Sequence, residues 1–238
     1  LSNIREFLLP KLLSVFQDTL ALELVLPTMD CSRADFSGIR QLENLKYLSI
    51  NVGSDGEGSN PVCLERLFEN LSQDVECHKK LETLLMEVNY DPHVNDGGHK
   101  AAIAFFKACS ETLRRAHFVY RDLNITFDGL GVYYEGLSEL HHLECLSIFV
   151  SVPFSKNQIG DLCKRISKMK SLEELDLKLE NRNYTEGEEL DLVFPTQLKR
   201  LALRLETSYV SFDPSVTLWS LSELVYLELE FFDFGSQH

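Results

Sequence analysis

One arrangement of apolar and polar positions recurs along the chain. A leucine is followed by two variable residues, and then by apolar residues at every second position. It reads LKYLSINV at Leu45–Val52, LETLLMEV at Leu81–Val88, LECLSIFV at Leu143–Val150 and LEELDLKL at Leu172–Leu179. It returns as LKRLALRL at Leu198–Leu205 and LVYLELEF at Leu224–Phe231, with looser copies at Thr19–Leu26 and Leu113–Tyr120. The eight phrases start at residues 19, 45, 81, 113, 143, 172, 198 and 224, so successive starts are 26 to 36 residues apart. Period-two alternation predicts a β-strand with one buried and one exposed face in each phrase.

Between phrases the period changes. Residues 61–71 carry Leu64, Leu67, Phe68 and Leu71, an i, i+3, i+4, i+7 stripe that predicts a helix. Residues 101–113 carry Ile103, Phe106, Ala108 and Leu113 after Gly97 and Gly98. Residues 159–169 carry Leu162, Cys163, Ile166 and Met169, with Asn157 as an expected N-cap. The last two intervals contain Pro195 and Pro214, so irregular or 3₁₀ segments are expected there. The polar stretches 53–60, 90–98 and 181–189 read as loops between repeats, not as domain boundaries. A single domain over 1–238 follows. The chain stops just after an apolar strand pattern with no polar terminating element, which reads as a piece of something longer.

One strand and one return segment cannot bury their own leucines, so neighbouring units must stack. Parallel strands lie about 4.8 Å apart and helices are about 10 Å wide, so the return side fans out and the strands line the inside of an arc. In this the chain resembles the leucine-rich-repeat family, over nearly its whole length. The run Asn157–Leu179 is similar to the ribonuclease-inhibitor-like class, with a helix leading into a strand. The repeats are divergent: where the family commonly has Asn or Cys after the strand, the clear copies hold Gly53, Asn89, Ser151, Glu180, Glu206 and Phe232. The resemblance implies an α/β solenoid, a curved horseshoe of about eight repeats. Its parallel strands line the concave face, and helices or irregular segments the convex face. It also implies a non-enzymatic protein–protein recognition module or scaffold subunit. The alternative is a regulator of an enzyme, such as a GTPase-activating protein, which a GTPase turnover assay would reveal.

Composition narrows the partners. Lys and Arg total 23 against 37 Asp and Glu, a net charge of −14. Such a chain is poorly suited to phosphate backbones, so nucleic acid is excluded as a partner. The strongest apolar stretches, Ala101–Phe106 and Ile148–Val152, fall far short of the roughly 20 residues of a membrane span. Another protein is the expected partner, with the chain a possible subunit of a larger assembly. The six cysteines, Cys31, Cys63, Cys77, Cys109, Cys145 and Cys163, are scattered and form no C-x-x-C pair. They read as thiols of a cytoplasmic protein, and no signal-peptide pattern opens the chain. Sequons at Asn70, Asn124 and Asn183 weigh less than that scatter.

Reactive constellations are sparse. Asp91, His93, Asp96 and His99 have the residue types of a metal site, but read more simply as a polar loop before a helix. No nucleophile elbow, phosphate-binding glycine loop or dinucleotide motif is present, so no enzyme activity, cofactor or metal is expected. The partner-binding residues are then those between the apolar positions of each strand. They include Tyr47, Asn51, Glu87, Arg115, His117, Phe149, Glu174, Asp176 and Lys178, and further along Arg200, Arg204, Tyr226, Glu228 and Glu230. Exposed aromatics and arginines anchor interfaces most often, which singles out Tyr47, Phe149, Arg200, Arg204 and Tyr226.

Overall fold

The computed structural model describes residues 18–26, 37, 39, 42–52, 62–73, 79–88, 96–120, 135–151, 156–180, 188–189, 192–206, 210–211 and 218–232. Eight strands form one open parallel sheet in chain order: β1 (Ala21–Leu26), β2 (Tyr47–Val52), β3 (Thr83–Val88), β4 (Arg115–Tyr120), β5 (Cys145–Ser151), β6 (Glu174–Glu180), β8 (Arg200–Glu206) and β10 (Tyr226–Phe232). Each begins two residues into its phrase. The register never slips, so Ala21, Tyr47, Thr83, Arg115, Cys145, Glu174, Arg200 and Tyr226 stand abreast across the sheet. This is the α/β repeat solenoid expected, of leucine-rich-repeat-like construction.

A forked hydrogen bond sets that register. The carbonyl of Leu20 accepts the N–H groups of both Lys46 and Tyr47, at 2.9 and 3.0 Å. The carbonyls of Lys46, Glu82, Arg114, Glu144, Glu173 and Lys199 each accept the corresponding pair from the next repeat. A one-residue slip would break every fork and turn the leucines outward.

The phrase also extends upstream. Apolar residues occur at every third position in Ile39–Leu42–Leu45, Leu137–Leu140–Leu143, Ile166–Met169–Leu172 and Leu218–Leu221–Leu224. Bonds of the i+3 to i type run through them, such as Leu42 N–H to the Ile39 carbonyl at 3.1 Å and Met169 N–H to that of Ile166 at 3.0 Å. Three residues per turn bring every third side chain onto one line, which is the line facing the core.

Helices α1 (Val62–Gln73), α2 (Asp96–Cys109) and α3 (Lys156–Ile166) return between strands. Two boundaries differ from expectation. Gly97 and Gly98 lie inside α2, which ends at Cys109, where the Cys109 carbonyl takes the N–H groups of Thr112 and Leu113 and releases Leu113 to the next strand phrase. Asn157 lies inside α3 and is therefore not its cap, since a cap residue carries non-helical backbone. Among the described residues of the last two intervals, only Leu218 has α-helical backbone. Instead β7 (Glu188–Glu189) and β9 (Val210–Ser211) pair as a small separate parallel sheet.

The inward strand residues and the helices share one continuous apolar core. Its densest part is aromatic. Phe68 on α1 meets Phe105 and Phe106 on α2, with ring centres 5.6 and 6.2 Å away, and Phe106 meets Phe118 on β4 edge-on at 6.0 Å. Phe106 needs Gly136 beneath it, because a Cβ there would stand 2.2 Å from the ring. Cys109 and Cys163 are buried thiols in this layer.

Candidate protein-binding face

The helices cover one side of the sheet, so the other side carries the side chains that alternate with the core residues. All fourteen residues expected at a partner site stand on this outer side, in three rows fixed by the common register. The first row runs Ala21, Tyr47, Thr83, Arg115, Cys145, Glu174, Arg200, Tyr226. The second runs Glu23, Ser49, Leu85, His117, Ser147, Asp176, Ala202, Glu228. The third runs Val25, Asn51, Glu87, Val119, Phe149, Lys178, Arg204, Glu230. Exposure is uneven: Ser49, Val119 and Ala202 are buried despite pointing outward. Each is short and flanked by longer side chains on both neighbouring strands, so alternation fixes direction without guaranteeing access to solvent.

Small side chains also shape the centre. Cys145 and Ser147 on β5 lie between Arg115 and His117 on β4 and Glu174 and Asp176 on β6. The result is an open hollow of about 310 Å³, bounded further by Thr83, Leu85 and Arg200. Burial, and after it the Glu174 carboxylate, push the Cys145 thiol up, so the hollow holds a neutral thiol and not a thiolate nucleophile.

Beyond the hollow the charged residues are already engaged with one another. The Arg204 guanidinium reaches Asp176 at 2.8 Å, Glu228 at 2.9 Å and Glu230 at 3.2 Å, joining three strands. The hydrogen bonds it donates to Glu228, ahead of the nearby negative charges, hold Arg204 above its ordinary range. The expected anchors come as stacked pairs. The Lys178 ammonium sits 4.6 Å from the centre of the Phe149 ring, and the Arg200 guanidinium 4.4 Å from that of Tyr226. Lys178 also pairs with Glu180 at 2.8 Å. On the N-terminal side the outward positions of β1–β3 carry two carboxylates, Glu23 and Glu87, and no cation, and Asn51 donates to Glu87 at 3.3 Å.

One row escaped the sequence reading. The residues just before β2 to β6 and β8 form a belt of charge that alternates except where Glu144 and Glu173 stand on adjacent repeats: Lys46 meets Glu82 at 2.7 Å, Arg114 meets Glu144 at 3.6 Å and Lys199 meets Glu173 at 2.8 Å. Its signal was the first variable position of the phrase, which reads Lys, Glu, Arg, Glu, Glu, Lys, Val from Lys46 to Val225.

Of the four residues with metal-site chemistry, Asp91 and His93 lie outside the described residues, as do the side chains of Asp96 and His99. Among the described residues no His, Cys, Asp and Glu cluster could hold a metal ion, and no helix is long and apolar enough to cross a membrane.

No protein-family model matches the chain, and no curated protein does. Solved structures resemble it at low identity. One is a chain of the yeast Rad7 and Elc1 complex, 18% identical over 97% of this chain and 63% of that one, with a TM-score of 0.39. Another is an internalin from Listeria monocytogenes, 14% identical over 90% of this chain and 62% of that one, with a TM-score of 0.34. A third is the leiomodin-1 actin-binding site 2, 12% identical over 70% of this chain and 72% of that one, with a TM-score of 0.31. This chain therefore spans less than two thirds of the first two. Likenesses at this level carry no inference about what it does.

Proposed function

We propose that the chain is a non-enzymatic protein-recognition module or scaffold subunit of the divergent ribonuclease-inhibitor-like class. It is one domain over 1–238 that works in the cytoplasm, and it binds its partner on the helix-free, concave face of the sheet. The observation that supports this most is the open hollow of about 310 Å³ at the centre of that face, with the stacked pairs Phe149–Lys178 and Arg200–Tyr226 beside it. Aromatic and arginine side chains held in place in the free protein lose little freedom on binding, which is what an anchor requires. The strong negative charge favours a protein partner over a nucleic acid. The thiols of Cys109, Cys145 and Cys163 suit a reducing compartment.

The test is affinity mapping against a partner isolated with the parent protein. Phe149→Ala and Arg115→Glu, each checked for folding by circular dichroism, should weaken binding at least tenfold, while Lys164→Glu on the helical side should not. Loss through Lys164→Glu with both face variants binding normally would overturn the reading.

A further inference from the structure

The two walls of the central hollow carry opposite charges that have not found partners. Most of the charges around them have. Asp176 is held by Arg204 at 2.8 Å and Lys178 by Glu180 at 2.8 Å, and the belt before the strands is paired through Arg114–Glu144 and Lys199–Glu173. Arg200, at the far rim, lies over the Tyr226 ring. Arg115 on one wall and Glu174 on the other are both exposed, and among the described residues neither makes an ion pair. The Glu174 carboxylate only accepts a hydrogen bond from the Cys145 thiol on the floor. Arg115, Cys145 and Glu174 stand abreast on β4, β5 and β6. Two strand spacings set the Arg115 and Glu174 backbones about 10 Å apart. The short side chains of Cys145 and Ser147 leave the space between the walls open.

We propose, resting on the concave-face reading above, that the hollow receives a segment of another protein that sets a carboxylate against Arg115 and a lysine or arginine against Glu174, with one apolar side chain between them over Cys145 and Ser147. Charge complementarity selects this occupant. A uniformly acidic segment would satisfy Arg115 but meet Glu174, in a chain whose net charge is already −14. A uniformly basic segment would satisfy Glu174 but meet Arg115 on one side and Arg200 on the other. A segment of mixed charge is opposed at neither wall, and Leu85 at the β3 rim offers its apolar side chain a contact. A second copy carries the same two charges and could offer them by twofold symmetry, but two concave faces meet at their rims and not at their centres.

Three end-capped peptides, Glu-Gly-Leu-Gly-Lys, Glu-Gly-Leu-Gly-Glu and Lys-Gly-Leu-Gly-Lys, test this on the whole chain by NMR titration at physiological salt. Their outer residues can stand up to about 13 Å apart, enough to reach both walls. The mixed peptide should bind saturably, shift the amide signals of β4, β5 and β6, and bind about fivefold tighter than either uniform peptide. Glu174→Arg should make the acidic peptide the best ligand, and Arg115→Glu the basic one; both positions are exposed and so tolerate replacement. An order of preference that neither variant changes would overturn the proposal, as would no saturable shift from any peptide, the result expected if the chain's own residues fill the hollow. Shifts that Phe149→Ala removes and both charge reversals leave alone would overturn this proposal while keeping the face as a binding surface. Shifts confined to α1, α2 and α3 would overturn the reading of the face as well. Self-association by sedimentation velocity that Arg115→Glu abolishes would make a second copy the occupant and overturn the proposal too.

Discussion

The repeats that end in β6 and in β10 are built from nearly the same phrase and share one register through β8, yet they are held differently. Leu177 on β6 is fully enclosed by strands on both sides and by the helical layer, whereas Leu227 on β10 is half open. The phrase alone makes the strand and aims its leucines. How much those leucines stabilise depends on having a neighbour on each side, as expected for a stack whose stability is a sum of repeat and nearest-neighbour terms. At β10, the last of the described strands, a charged clamp centred on Arg204 of β8 joins β10 to β6.

The largest effect should therefore come from the enclosed side. Leu177→Ala should destabilise the protein by about 2–5 kcal/mol, because methyl groups are lost and a cavity is left in a core that cannot collapse around it. Urea unfolding gives this as a lower midpoint with an unchanged slope. Gly136→Ala should cost roughly 1–3 kcal/mol by the opposite route, since its Cβ would be driven into Phe106. Adding Phe106→Leu should recover part of that loss. Leu227→Ala should cost only about 1 kcal/mol, since the side chain is half hydrated already and no enclosed cavity results. If Leu227→Ala proves as damaging as Leu177→Ala, the last repeat is covered on its far side and the contrast fails.

The strands and their register were legible because one physical signal, apolar residues at every second position, is repeated eight times and fixes both strand and facing. Leu175, Leu177 and Leu179 say the same thing as Leu201, Leu203 and Leu205, and errors in one copy are corrected by the others. The every-third turns were less visible, because residues such as Leu137 and Leu140 also fit a helical stripe and only the backbone bonds separate the two readings. The burial of Ser49, Val119 and Ala202 depends on the lengths of side chains on adjacent strands, which are distant in sequence. The hollow has the same origin: Cys145 and Ser147 are unremarkable in their own phrase, and make a depression only because Arg115, His117, Glu174 and Asp176 flank them. Pairing between β7 and β9 left no sequence signal, since two-residue strands carry no period.

The smallest effect separates the charged clamp from apolar burial through its pH dependence. The Tyr226 hydroxyl donates to Glu228 at 2.9 Å and Arg204 donates to it at 2.9 and 3.3 Å, and these bonds hold the Glu228 carboxyl below its ordinary range. A carboxyl depressed in the folded state contributes stability at pH values above its unfolded value, about 4.3, and loses it as pH falls through the folded value. Glu228 in turn holds the Tyr226 hydroxyl above its ordinary range, so that side of the coupling is present below about 10 and is lost as pH rises through the folded tyrosine value. The stability difference between the parent and Glu228→Gln should therefore be a plateau through neutral pH that closes at both ends. It should also shrink in concentrated salt, because the clamp is open to solvent. The difference between the parent and Leu227→Ala should stay flat across the same range. Matching pH profiles for the two variants would mean that Glu228 does no more than occupy space, and that β10 is held by burial like the strands before it.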